Sequence, residues 1–343
     1  DLSGIRADSQ DYAGLDAFVL VDAAGQERYR PRAGTDGAAA LTAAEVRAIL
    51  SSALRVANRS RAQIRRPLDT PARVSITVVD SQGEILGLVR TRDAPVFGID
   101  VSVQKARGAA FFSSRTAAER LNALPPAVYL DRVLVRLREE SPAQYVTTMR
   151  VFLGLPNALA DGATAFSARS LGNLARPNYP DGVDGNPLGP LSRAPGQWSP
   201  LNTGVQMDLV YNAVIQHVAF VRGLTADTPR NCSGVSGFDR GFAVTGAVRG
   251  LANGMQIFPG AVPIYRGDQL IGAIGVSGDG VDQDDMVAFL GVARSGLSGS
   301  APQNAPLNRR SDQLVPSGAR LRYVSCPQAP FLDSNEQEPC SGL

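Results

Sequence analysis

Few side chains in this 343-residue chain could do chemistry. There is one histidine, His217, and three cysteines, Cys232, Cys326 and Cys340. A lone histidine excludes a His-rich metal site. No C-x-x-C pair occurs, which argues against zinc ribbons and thioredoxin-like exchange. Gly275-Val276-Ser277-Gly278 lacks the G-x-S-x-G spacing of a hydrolase elbow, and only His217 could act as its base. Asp279, Asp282, Asp284 and Asp285 could hold calcium, but they lack the spacing of an EF-hand loop. Capping of a helix N-terminus is the expected role. The turn Ser277–Gly280 could cradle phosphate with backbone N–H groups. It reads first as a strand-to-helix turn that needs glycine torsions.

One residue stands out by its rarity. Of 34 lysines and arginines, only Lys105 is lysine. A compact ammonium and a planar guanidinium are not interchangeable. Lys105 is therefore read in two ways. It contacts an anionic group, such as a ligand carboxylate or a carboxylate across a subunit interface. Or it forms an intramolecular ion pair, with Asp93 or Asp80, that fixes a helix to a hairpin.

The elements that must position these residues follow from pattern. Thr42 and Glu45 form a T-x-x-E capping box. Val46, Ile49, Leu50, Ala53, Leu54 and Ala57 follow at helical spacing. In residues 73–90, Val74, Ile76 and Val78 alternate with Ser75 and Thr77, and a turn at 81–83 predicts a β-hairpin. Residues 98–111 read as a helix carrying Lys105. A second hairpin is expected from Val262–Tyr265 and Leu270–Val276, and Asp282 to Asp285 open a final helix. Between them, 119–250 is rich in loops, above all at 176–200. It holds two expected helices, around 130–153, breaking near Pro142, and over 203–223. Trp198 is expected to anchor this stretch onto the core. Residues 11–30 read as a hairpin or the end of an upstream domain, and 32–40 as a linker.

Hydrophobic residues make up 44% and charged residues 19%, an ordinary globular composition. The net charge of +2 gives no electrostatic case for nucleic acid or an anionic membrane. Arg59, Arg61, Arg65 and Arg66 read as a solvated face at a helix end. No apolar run of about 18 residues exists, so no transmembrane helix is expected. The chain opens at Asp1, as expected of a processed product. The arginine bias points to a bacterial, G+C-rich coding sequence. A disulfide between Cys326 and Cys340 would staple a polar tail, with Cys232 left over or pairing with one of them. A disulfide implies export, and so a periplasmic or extracellular location.

Two segments resemble a known family. SITVVDSQGEILGLVRTRDAPVFGIDVSVQKARGAAFFSS carries a VVD-x-x-G hairpin, Arg90, an apolar step and a helix with K-A-R-x-A. FPGAVPIYRGDQLIGAIGVSGDGVDQDD carries P-G-x-x-P-I, a turn, G-A-I-G-V-S-G and a Q-D pair. Together they resemble the GlcG/HbpS-like haem-binding family, related to corrinoid adenosyltransferase C-terminal domains. Ala261 replaces a glycine of the family pattern. The resemblance implies an α+β fold, a profilin-like antiparallel sheet of about five strands flanked by helices. That domain would be split into 41–118 and 251–296, around an insertion at 119–250. Residues 1–40 and 297–343 form an extension and a tail.

The resemblance further implies an exported, oligomeric haem- or tetrapyrrole-binding protein, with roles in redox sensing or haem handling. Arg90 and Lys105 would meet ligand carboxylates. His217 is a candidate iron ligand, although it has no counterpart in the motif and also reads as a packed or capping histidine. Tyr265, Met207 and Met255 are further candidates. Without C-x-x-C-H, c-type attachment is excluded. Two alternatives remain. The fold serves as an assembly module without cofactor, or the protein degrades haem with peroxide.

Overall fold

The computed structural model describes residues 4–8, 10–124, 126–131, 136–193, 216–228, 256, 258–299 and 301–343. Trp198, Met207, Met255, Cys232 and most of the helix expected over 203–223 lie outside them.

Helix α1 (Ala43–Arg59) begins where its capping box predicts. Thr42 Oγ1 accepts the Glu45 N–H at 3.2 Å, and Glu45 Oε2 accepts the Thr42 N–H at 2.8 Å. Two otherwise orphaned donors are thereby satisfied. Val46, Ile49, Leu50, Ala53, Leu54 and Ala57 are buried on one side.

Among the described residues, seven strands form one antiparallel sheet. They are β1 (Ile5–Ala7), β2 (Phe18–Leu20), β3 (Ser75–Val79), β4 (Ile85–Arg90), β7 (Ala261–Arg266), β8 (Gln269–Ser277) and β9 (Gln303–Asn304), in the order β1-β2-β4-β3-β8-β7-β9. The two expected hairpins supply the four central strands. They meet through β3 and β8, with Ser75 opposite Ser277. The sheet exceeds the expected five strands because the extension adds β1 and β2 at one edge, and the tail adds β9 at the other.

Strand alternation sorts the two faces. Val74, Ile76 and Val78 join one core with α1 and α6 (Val281–Ala293). Thr77 points the other way, to α2 (Phe97–Phe112), where its Oγ1 lies 2.8 Å from Ser102 Oγ. Small residues let α2 approach the sheet. A Cβ on Gly275 would stand 2.7 Å from Ala106 N, closer than any real contact.

The segment expected as one helix over 130–153 is two things. Residues Ala127–Asp131 (β5) and Arg136–Glu140 (β6) pair as a hairpin, and α4 runs over Pro142–Leu153. Proline lacks the N–H an interior helical position must donate, but fits the first turn. Pro142 therefore starts a helix rather than interrupting one. Helix α3 (Ala117–Asn122), α4 and α5 (Ala168–Leu174) bury Phe111, Phe112, Tyr145, Phe166 and Leu171 in a second core at the end of α2. The tail is fastened too. Cys326 and Cys340 form the expected disulfide. Arg61 N–H donates to Pro330 O at 2.7 Å, and the Arg59 guanidinium sits 4.7 Å above the Phe331 ring. Within the basic run Arg59, Arg61 and Arg65 are paired, with Asp333, Asp69 and Asp279, while Arg66 is exposed.

Candidate functional site

Lys105 projects from the middle of α2 and is 2% exposed. Its Nζ donates to Asp284 Oδ2 and to the Val276 carbonyl, each at 2.8 Å. It is an intramolecular ion pair, but with neither Asp93 nor Asp80. Asp80 is consumed locally, accepting from Thr35 Oγ1 at 2.6 Å and from the Gln82 and Glu84 N–H groups. The partner lies 179 residues away in sequence, on α6. The bridge therefore ties α2, from the first half of the split domain, to α6, from the second, beside the start of β7.

Gly260 explains why the slot admits so little. It holds φ +123, and a Cβ there would meet Val276 O at 2.5 Å, Asp284 Cβ at 2.7 Å and Lys105 Nζ at 2.9 Å. Neighbouring carboxylates are also occupied. The Asp279 carboxylate takes Arg65 and accepts the Gln63 and Gly280 N–H groups at 2.7 and 2.8 Å. Arg169 of α5 reaches Asp285 at 2.5 Å and Asp282 at 2.6 Å, and the Ser325 N–H of the tail donates to Asp285 at 3.0 Å. The helix N-cap itself is Gly280, which has no side chain to cap with. The aspartates are thus ion-pair and turn acceptors rather than N-caps. Among the described residues no group of acidic, histidine or cysteine side chains could hold a metal ion. Burial pushes Asp284 up to about 6 despite Lys105, and burial raises Asp285 despite Arg169.

A cavity of about 490 Å³ opens over this bridge. That size suits a small-molecule site. Its rim is apolar and exposed, with Phe97 56%, Phe258 40% and Val281 37% accessible. Its floor holds Val101, Lys105, Asp284 and Gln256. Gln256 is buried, and its Nε2 donates to Gln104 Oε1 at 3.0 Å, while Gln104 Nε2 donates to Asp100 Oδ2 at 3.2 Å. That chain of donors fixes both amides, because Gln104 must keep its N–H toward the carboxylate. Among the described residues, Gln256 Oε1 is then left buried with no hydrogen-bond partner.

The other candidate residues lie apart from the cavity. Arg90 is buried behind it, its Nε 3.4 Å from Ser75 Oγ and its guanidinium donating to Ala94 O. Burial lowers its pKa. It latches the loop that leads into α2. Tyr265 packs in the main core with Tyr323 and Phe289, and burial pushes its hydroxyl up to about 12. His217 is 56% exposed on helical residues 216–221, with Nδ1 2.8 Å from Asp227 Oδ1. Lys105 alone among the four reaches the cavity. Phe97, Phe258, Gln256 and Asp284 were not singled out by sequence as lining residues. The one available signal was the Q-D pair, Gln283-Asp284, at a helix start.

Fold and site define a class: a split α+β domain whose halves are joined through a buried Lys–Asp bridge beneath a small-molecule cavity. The model of the haem degrading protein HbpS-like family matches residues 49–154 and 225–293, just over half of the chain. The chain belongs to that family, and a central insertion interrupts its family domain. No curated protein matches it.

Proposed function

We propose that the chain is an exported, oligomeric tetrapyrrole-binding protein, and that the ligand enters the cavity over Lys105. The carrying observation is an exposed aromatic and aliphatic rim above a buried ammonium. Phe97, Phe258 and Val281 offer a flat ring apolar contact, and Lys105 offers a donor to an acidic or carbonyl edge. The Cys326–Cys340 disulfide supports an oxidising compartment. Among the described residues, no helix is long and apolar enough to cross a membrane.

The lining fits the organic ring better than it fits iron. No histidine, cysteine, methionine or tyrosine stands among the described lining residues, and Lys105 is already held by two acceptors. Haem, when bound, would supply redox chemistry; Phe97, Phe258, Val281 and Lys105 would bind and orient its ring.

Absorbance titration with haemin tests the proposal. Wild type should give a saturable Soret shift, and Val101→Trp, which fills the cavity, should abolish it. A shift unchanged in Val101→Trp would move the ligand elsewhere. Bleaching of bound haemin by peroxide would read out the degrading activity in the family's description. The second reading, an assembly module without ligand, draws on the closed Lys105–Asp284 pair and on the exposed rim. Wild type without any saturable shift would favour it.

A further inference from the structure

A second cavity, of about 660 Å³, opens beyond the C-terminal end of α2, away from the Lys105 cavity at its start. Its walls come from the turn after β3, residues 113–116 after α2, and the β7–β8 turn. Asp36 of the extension and Gly162 of the insertion complete it, and both lie outside the family match. Most charges in these walls are already answered. Arg266 Nη2 donates to both Glu45 carboxylate oxygens at 3.0 Å. Asp36 accepts the Ser81 N–H at 3.2 Å and the Ser81 hydroxyl. Arg309 donates to Asp268 Oδ1 at 3.2 Å and to Gly162 O at 3.1 Å, which fixes one wall to another. Arg115 is the exception. It is an exposed lining residue, and among the described residues its side chain has no ion pair and no hydrogen bond.

A cation after a helix C-terminus complements the helix dipole. That accounts for the charge of Arg115 but occupies none of its five N–H donors. The side chain also lies along the cavity wall. A Cβ on Gly162 would stand 2.8 Å from Arg115 Cγ and 3.6 Å from its Nε, so the guanidinium end sits beside another lining residue. We propose that this cavity is a second ligand site, and that it takes a small hydroxylated monocarboxylate of the sugar-acid class. The carboxylate meets Arg115 in the bidentate fork that a guanidinium offers. One unanswered cation matches one negative charge, and the carboxylates of Asp36 and Asp268 disfavour a second. Gln82, Thr116 and Gln269 are exposed lining residues that can each give and accept hydrogen bonds, which suits hydroxyls on the ligand's body. No aromatic side chain stands among the described lining residues, so a flat ring has nothing to stack on. The site is independent of the tetrapyrrole reading.

Isothermal titration calorimetry with gluconate, glucose and glucose 6-phosphate tests the proposal on wild type, Arg115→Gln and Gln269→Trp. Wild type should bind gluconate saturably, and the neutral sugar and the phosphate ester at least about tenfold more weakly. Arg115→Gln should weaken gluconate by at least about tenfold, as expected where a hydrogen bond to a charged group is lost. Gln269→Trp, which fills the cavity from the exposed start of β8, should abolish binding. No saturable heat with gluconate in wild type would overturn the proposal, and so would an affinity unchanged in Arg115→Gln or in Gln269→Trp. Glucose binding as tightly as gluconate would overturn the carboxylate assignment, and glucose 6-phosphate binding more tightly would overturn the single charge. Circular dichroism establishes that each variant folds, and the wild-type order of the three ligands decides the matter even if a variant does not.

Discussion

Removing one member of the bridge strands the other. Lys105→Met leaves Asp284 buried and unpaired, and the expected loss is about 3–5 kcal/mol in urea unfolding. Lys105→Met with Asp284→Leu should recover most of it, since an apolar pair need not be desolvated. A double variant as unstable as the single one would show that the charges themselves are required. The pH dependence has a definite sign. Asp284 is raised from 3.8 to about 6 and Asp285 is raised as well, both chiefly by burial. The Asp284 contribution to stability is fully present below the unfolded value of 3.8, and it is lost as pH rises through about 6. Between pH 4 and 7 the unfolding midpoint of wild type should therefore fall relative to that of Asp284→Asn. Parallel profiles would refute the assignment. At this scale the sequence marked Lys105 by rarity alone. It could not supply Asp284, because sequence neighbours such as Asp80 and Asp93 compete on paper and only the fold brings α6 to α2.

Elements came through where local rules are strong. The capping box of α1 and the alternation of β3 both read directly, because each is settled by contacts within a few residues. Thr42→Ala should cost about 1 kcal/mol by thermal unfolding, as an N-cap does. Gly260→Ala should be far more damaging, since it combines φ +123 with three contacts a Cβ cannot make. If Gly260→Ala unfolds like wild type, the slot is looser than its geometry. The residues over 127–140 misled for a physical reason. Apolar residues in a short run do not distinguish helix from strand, and pairing between Ala127 and Glu140 decided it. The Phe97–Phe258 rim was equally hidden, because exposed aromatics have no periodicity to betray them.

For the whole molecule, the parts outside the family match are fastened to the parts within it. Arg169 from α5 and Ser325 from the tail converge on Asp285, one residue from the bridge. The disulfide closes a 14-residue separation beside Ser325. Cys326→Ser should cost about 3 kcal/mol of stability by denaturant titration in non-reducing buffer, as a loop of this length predicts. The exposed rim also bears on the proposed assembly. Light scattering should give a mass above one chain, and Phe97→Asp should lower it if the rim is the contact. The solitary lysine has a practical corollary. Within these 343 residues the folded protein offers no accessible side-chain amine, because the one lysine is 2% exposed. An amine-reactive ester should leave Lys105 unlabelled in the folded protein and reach it only when the bridge opens. The rate of labelling at Lys105, followed by peptide mass, would time the opening of α2 from α6.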